Sequence, residues 1–220
     1  KLLLGMEDQA LQLVHEKKYQ EALELIGENE DGGIMSNIKG LALMRTGKLE
    51  GSIASFDKVI SADPNNTEAQ TNRCAAVKAL MGVKCDAGDK LFQNKDIEGA
   101  LAQYSAVSVE EADAKVKFQV LNNMGACFMQ LNRIPEAVQK FSSALAVQPG
   151  SVDTLHNYAT ALKAAGMLED AKLQYEECLK ASPDFYAASC GLCETLAAMN
   201  QCDEALVVIE SVVQADSKNA

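Results

Sequence analysis

The 220 residues include only two histidines, His15 and His156, and four prolines. Two histidines so far apart leave little from which a His-based metal site, or a nucleophile with its base, could be assembled. No glycine run makes a phosphate cradle: Gly32-Gly33 and Gly88 fit neither a Walker pattern nor a dinucleotide fingerprint. Catalysis and nucleotide binding have no support, and no cofactor is expected. No apolar stretch approaches the ~20 residues that a membrane-spanning helix needs. Leu2-Leu3-Leu4 is too short for the apolar core of a signal peptide. Positive charge is scarce, with 20 Lys and Arg against 31 Asp and Glu, for a formal net charge of −11. Nucleic-acid affinity rests on cations that neutralise phosphates, so nucleic acid is not an expected partner. The same balance favours a protein or peptide partner that carries basic residues.

What remains is helix-forming material. Ala, Leu, Lys, Glu and Gln are abundant, and the β-branched and aromatic residues are not gathered into alternating runs. No long polar or Pro/Gly-rich tract reads as disordered. An all-α protein is expected. The seven cysteines sit mainly inside helical patterns, where Cys behaves as a small apolar residue, and a reducing, cytoplasmic setting is the simplest reading. Cys190-x-x-Cys193 with Cys202 is part of a zinc pattern, but a structural zinc wants four ligands and no second Cys-x-x-Cys or His pair is present. No metal is expected there. The chain opens at Lys1 and stops at Ala220, and it reads as a piece of something longer.

Between Phe118 and Phe185 one pattern occurs twice in register. Leu121, Met124, Gly125 and Phe128, then Ala137, Phe141, Ala144 and Pro149, return as Leu155, Tyr158, Ala159 and Leu162, then Ala171, Tyr175, Cys178 and Pro183. From Ala137 to Ala171, and from Pro149 to Pro183, the period is 34 residues. That period, with small, large and Pro residues in these places, resembles the tetratricopeptide repeat, a helix-turn-helix unit that stacks into a solenoid. The resemblance implies an all-α, right-handed superhelical solenoid of antiparallel helix pairs. Small residues such as Gly40 with Ser52, or Ala137 and Ala171, are then expected where two helices cross closely.

The pattern divides the chain into a first array over 3–81 and a second over 84–219, continuous with it. The first holds a shortened repeat closed by Asn29-Glu30-Asp31-Gly32-Gly33, a repeat from Gly33 to Asn66, and an unpaired helix over 67–81, either a cap on those two repeats or a connector that changes the superhelix direction, with Gly82 as its hinge. Lys17-Lys18 and the acidic Glu28, Glu30 and Asp31 are most simply solvated turn residues. The second array holds about four repeats, the first of them around Gly88, Leu91, Ala100 and Tyr104. Three extra residues enter near 108–114, where Ser108-Val109-Glu110-Glu111 suits a helix start, so a long helix from near Glu110 to Gln130 is expected. The last repeat ends in a broad apolar face of Leu206, Val207, Ile209, Val212 and Val213. Terminal repeats need a polar outer face, so this end is expected to continue into further sequence or to self-associate through 203–215.

The informative polar set is asparagine. Asn72, Asn123 and Asn157 share one repeat position, two before the small residues Cys74, Gly125 and Ala159. In the resembled family that position faces the concave groove, where an amide can bond the backbone of an extended peptide. Gln119, Asn122, Ala126, Gln130, Asp153, His156, Thr160 and Lys163 are groove candidates by the same register. The alternative for each asparagine is plain exposure, or a bond to the adjacent repeat. Some members of the family grip a chaperone's terminal carboxylate with Lys, Asn, Asn, Lys and Arg. Those places fall here on Cys85, Asp89, Asn123, Asp153 and Asn157; only Asn123 matches, and Asp89 and Asp153 would repel a carboxylate.

The expected function is a non-catalytic scaffold that binds a partner polypeptide in the groove. Replacing Asn123 and Asn157 together is then expected to weaken binding without altering thermal stability. A structural subunit of a larger assembly, such as a transport or ciliary complex, is the first alternative. A regulatory arm of an enzyme whose catalytic domain lies outside this stretch is the second.

Overall fold

The computed structural model describes residues 2–27 and 33–219, with side chains over 5–27 and 33–213. The described residues form helices and no strand. The expected turn at 29–33 falls, up to 32, outside them, as do Glu28, Glu30 and Asp31. The helices are α1 (Leu2–His15), α2 (Tyr19–Ile26), α3 (Gly33–Arg45), α4 (Leu49–Ala62), α5 (Thr67–Gln93), α6 (Ile97–Ser105), α7 (Ala114–Gln130), α8 (Ile134–Val147), α9 (Val152–Ala164), α10 (Leu168–Ala181), α11 (Tyr186–Ala198) and α12 (Cys202–Asn219). The chain divides into two compact units, Lys1–Val83 and Lys84–Ala220.

Each pair is made the same way. The first helix ends in a tight turn with one residue in the left-handed region: Lys17, Gly47, Lys95, Asn132, Gly166 and Asn200. The next N–H then reaches back across the turn, as from Lys48 to Leu43 O at 2.9 Å, Arg133 to Phe128 O at 2.8 Å and Met167 to Leu162 O at 2.9 Å. This closes the carbonyls that a helix end leaves open and sends the second helix back along the first. Small residues sit at the crossing. Ser52 Oγ donates to Gly40 O at 2.8 Å, and Ala137 and Ala171 are fully buried. Large rings fill the space beside them: a Cβ added at Gly40 would lie 2.6 Å from Phe56, at Gly88 2.6 Å from Tyr104, and at Gly125 2.6 Å from Phe141.

In the first unit Ala10, Ile26, Met35 and Ile38 form a core that joins the first two pairs. In the second unit Leu155, Ala159, Leu162, Tyr175, Cys178, Leu192 and Leu196 form one that joins the last two.

Two expectations are corrected. The chain does not break at Gly82: α5 runs as one helix of 27 residues. A single helical glycine costs about 1 kcal/mol against alanine, and with no proline or capping residue near Gly82 the flanking helix formers outweigh that cost. Gly82 is exposed, with nothing near its Cβ position. Nor does the long helix start near Glu110. Asp113 is its N-cap, accepting from Val116 N–H at 3.0 Å, and α7 begins at Ala114. The carboxylate satisfies an otherwise open N–H, which Ser108 does not. The extra residues are shared out: α6 has 9 residues against 14 in α8, and α7 has 17 against 13 in α9.

Candidate peptide-binding site

Within the second unit the first helices of the pairs lie side by side: α7 against α9, and α9 against α11. The C-terminal part of α5 joins this row, because Asn123 on α7 donates to Asp89 on α5 at 3.0 Å. The 34-residue period therefore places Asp89, Asn123 and Asn157 on three successive first helices.

Asp89 and Asn123 meet at Tyr104. This tyrosine stands on α6 at the buried ring position held by Phe56 and Phe141 in other pairs, and it is 2% exposed. A buried phenol needs a partner. Its hydroxyl donates to Asp89 Oδ1 at 2.5 Å and accepts from Asn123 Nδ2 at 3.3 Å. Burial, then the hydrogen bond to Asp89, pushes the phenol far above its ordinary range, so it stays a neutral donor. The two hydrogen bonds of Asp89 both fall on Oδ1, and among the described residues no cation pairs with it. Asp89, Tyr104, Asn123, Phe92, Gln93 and Ala126 line a cavity of about 160 Å³.

The other sequence candidates are spread over this face. Asn122 accepts from Thr154 Oγ1 at 3.0 Å, which ties α7 to α9. His156 packs edge-on against Phe185 at 5.3 Å and lies 6.0 Å from the Tyr175 ring. Thr160 Oγ1 donates to His156 O at 2.9 Å and is 3.0 Å from Tyr175 OH. Lys163 is ion-paired with Glu194 on α11 at 2.5 Å. Gln119 and Asn157 are half-buried, and Gln130 and Asp153 are exposed. Asn72 is half-buried on the part of α5 that belongs to the first unit, and Cys74, two residues on, is exposed rather than packed at a crossing.

Both contacts that Asn123 Nδ2 makes are internal, to Asp89 and Tyr104, so a double change at Asn123 and Asn157 would remove them as well as any groove contact. Register alone marks Asp89 only as an obstacle to a carboxylate and does not place Tyr104 at a cavity. A signal was present: a tyrosine replaces phenylalanine at a buried ring position, with an acid and an amide 34 residues apart on either side of it in sequence.

The cysteines are unbridged. Cys193 sits at the α11 and α12 crossing, its Sγ 3.7 Å from Ala205 O, while Cys190 and Cys202 are exposed. Burial pushes the Cys127 thiol up to about 11. Among the described residues no group of three or more metal-ligating side chains is placed to hold an ion, and no helix is long and apolar enough to cross a membrane.

Models described as tetratricopeptide repeat match residues 35–66 and 162–220. A DnaJ homolog subfamily C member 7 homolog of Dictyostelium discoideum is 24% identical over 179 residues, which is 78% of this chain and 32% of that protein. The chain thus spans about a third of that relative's length. The crystal structure of MamA superposes with a TM-score of 0.56 at 17% identity, over 82% of this chain and 95% of that one. The first TPR of Spaghetti (RPAP3), bound to an HSP90 peptide, superposes with a TM-score of 0.51 at 22% identity, over 55% of this chain and 93% of its own. The helix pairs, their crossings and their turns repeat in register, and two stretches match the same repeat description: over 35–66 and 162–220 the chain matches the tetratricopeptide repeat.

Proposed function

We propose that the chain is a non-catalytic protein-interaction scaffold that takes a polypeptide segment along the row of first helices in its second unit. The observation that carries this reading is the cavity between Asp89, Tyr104 and Asn123, which opens polar and aromatic groups together on that row. Backbone contacts from half-buried Gln119 and Asn157 would hold an extended segment beside it. That the similar first TPR of Spaghetti (RPAP3) is bound to an HSP90 peptide supports a peptide partner, although the cations of a carboxylate clamp are missing here.

The test is retention of a degenerate 12-residue peptide library by the immobilised chain, compared with Asn157→Arg. The variant should keep its melting temperature and lose most of the retained peptide, because the new side chain fills the row. Equal retention would remove the first-helix row as the binding surface.

A second reading, a subunit of a larger assembly, has its own observation. Leu206, Val207, Ile209 and Val213 on α12 are 47 to 65% exposed, beside a largely apolar hollow lined by Cys190, Cys193, Ile209 and Val212. Crosslinks to partners concentrated over 202–213, with none on α7 or α9, would favour it.

A further inference from the structure

We infer that the Asp89 cavity is a receptor for the ammonium head of a lysine side chain on the bound polypeptide. This rests on the first-helix row being a peptide site, and it assigns that site its specificity. Three features carry it. The cavity, about 160 Å³, falls below the ~300–1,000 Å³ of ordinary small-molecule pockets, so it suits one side chain. Its one charged lining group is Asp89, half-buried and without an ion pair among the described residues. An ionised carboxylate in such a place gains from an incoming cation.

The hydrogen bonds decide which cation. Tyr104 and Asn123 both bind Oδ1, which fixes the carboxylate and leaves Oδ2 for a ligand. An arginine fork needs both oxygens to make its paired bonds, whereas an ammonium is a point charge that one oxygen can hold. Gln93 adds a second acceptor at the rim, and the Phe92 ring and Ala126 methyl offer apolar surface for the four-carbon stem. Where the family's carboxylate-gripping members carry a neutral amide, Asp89 inverts the charge the site selects.

The test uses the whole chain and two probes. The first is a set of blocked 12-residue peptides from the library, identical except for one position carrying lysine, Nε-acetyl-lysine, norleucine or arginine. Lysine should bind about tenfold more tightly than acetyl-lysine or norleucine, the scale of one charge-assisted hydrogen bond. Arginine should fall between them. In Asp89→Asn, which keeps the acceptor for Tyr104 and Asn123, the lysine advantage should vanish. The second probe is Nα-acetyl-lysine methylamide, followed by NMR at the Asn123 side-chain amide, which should shift in the wild type and not in Asp89→Asn. Peptides that bind with no lysine preference overturn the cavity assignment and leave the groove standing. Equal binding of arginine overturns the choice of ammonium. If the small probe shifts Asn123 while no peptide binds, the cavity stands and the groove reading falls. If neither acts, both fall.

Discussion

Tyr104 shows what a hydroxyl adds at a buried ring position that phenylalanine fills in other pairs. Phe56 and Phe141 fill the same place by ring volume alone, whereas Tyr104 also holds Asp89 and Asn123. Tyr104→Phe keeps the ring and removes that link. Because the bond it deletes is to a charged group, the expected loss is about 1.5–3 kcal/mol, read as a lower urea midpoint with an unchanged slope. A loss under a few tenths would mean that water replaces the hydroxyl at no cost. Cys127, buried on the same helix as Asn123, gives a pH prediction. Its folded thiol is pushed up to about 11, from an ordinary value of 9.0. Between those values the unfolded chain releases the proton and the folded chain keeps it, so stability falls as pH rises through the window. Below pH 9 the contribution is complete. The urea midpoint should decline between pH 9 and 11, and less so in Cys127→Ala; parallel curves would dissociate the decline from this thiol. These residue-scale facts were only partly legible in the sequence. Periodicity locates Tyr104, Asn123 and Asp89, but that all three bonds close on one another depends on how α6 leans between α5 and α7.

At the level of elements, the repeat made most boundaries readable and failed where the chain departs from it. Left-handed residues stand where the pairs turn, at Gly47, Lys95 and Gly166. The start of α7 was missed because two acidic runs compete for it. Glu110 and Glu111 offer charge to a first turn, but Asp113 alone makes the capping bond. Gly82 was misread for a related reason: glycine marks a break only when neighbouring residues also favour one. If α5 is helical through Gly82, alanine there fits into open space and removes a conformational-entropy cost. Gly82→Ala should therefore raise stability by about 1 kcal/mol, with stronger amide-exchange protection over 80–86. Destabilisation would restore the hinge. Bonds across the seams between neighbouring pairs, Asn122 with Thr154, Lys163 with Glu194 and Lys172 with Glu204, were not predictable one by one. Each needs a particular rotamer as well as the register.

Over the whole molecule the formal charge of −11 acts on any lysine-bearing partner before contact, and Asp89 acts after it. The two effects separate by kinetics. Long-range attraction raises the association rate and is screened once charges stand farther apart than the Debye length, about 10 Å at 0.1 M salt and about 3 Å at 1 M. A half-buried carboxylate holding an ammonium at hydrogen-bond distance is screened much less, and its loss appears in the dissociation rate. For a lysine-bearing peptide, stopped-flow association should slow several-fold between 0.05 and 0.5 M salt, values chosen to bracket that length, while dissociation changes little. Asp89→Asn should do the reverse, with faster dissociation and an association rate close to the wild type, since one charge in 11 barely alters the distant field. If the variant slows association and leaves dissociation alone, Asp89 contributes only to the general acidity of the surface, and the cavity confers no specificity on the scaffold.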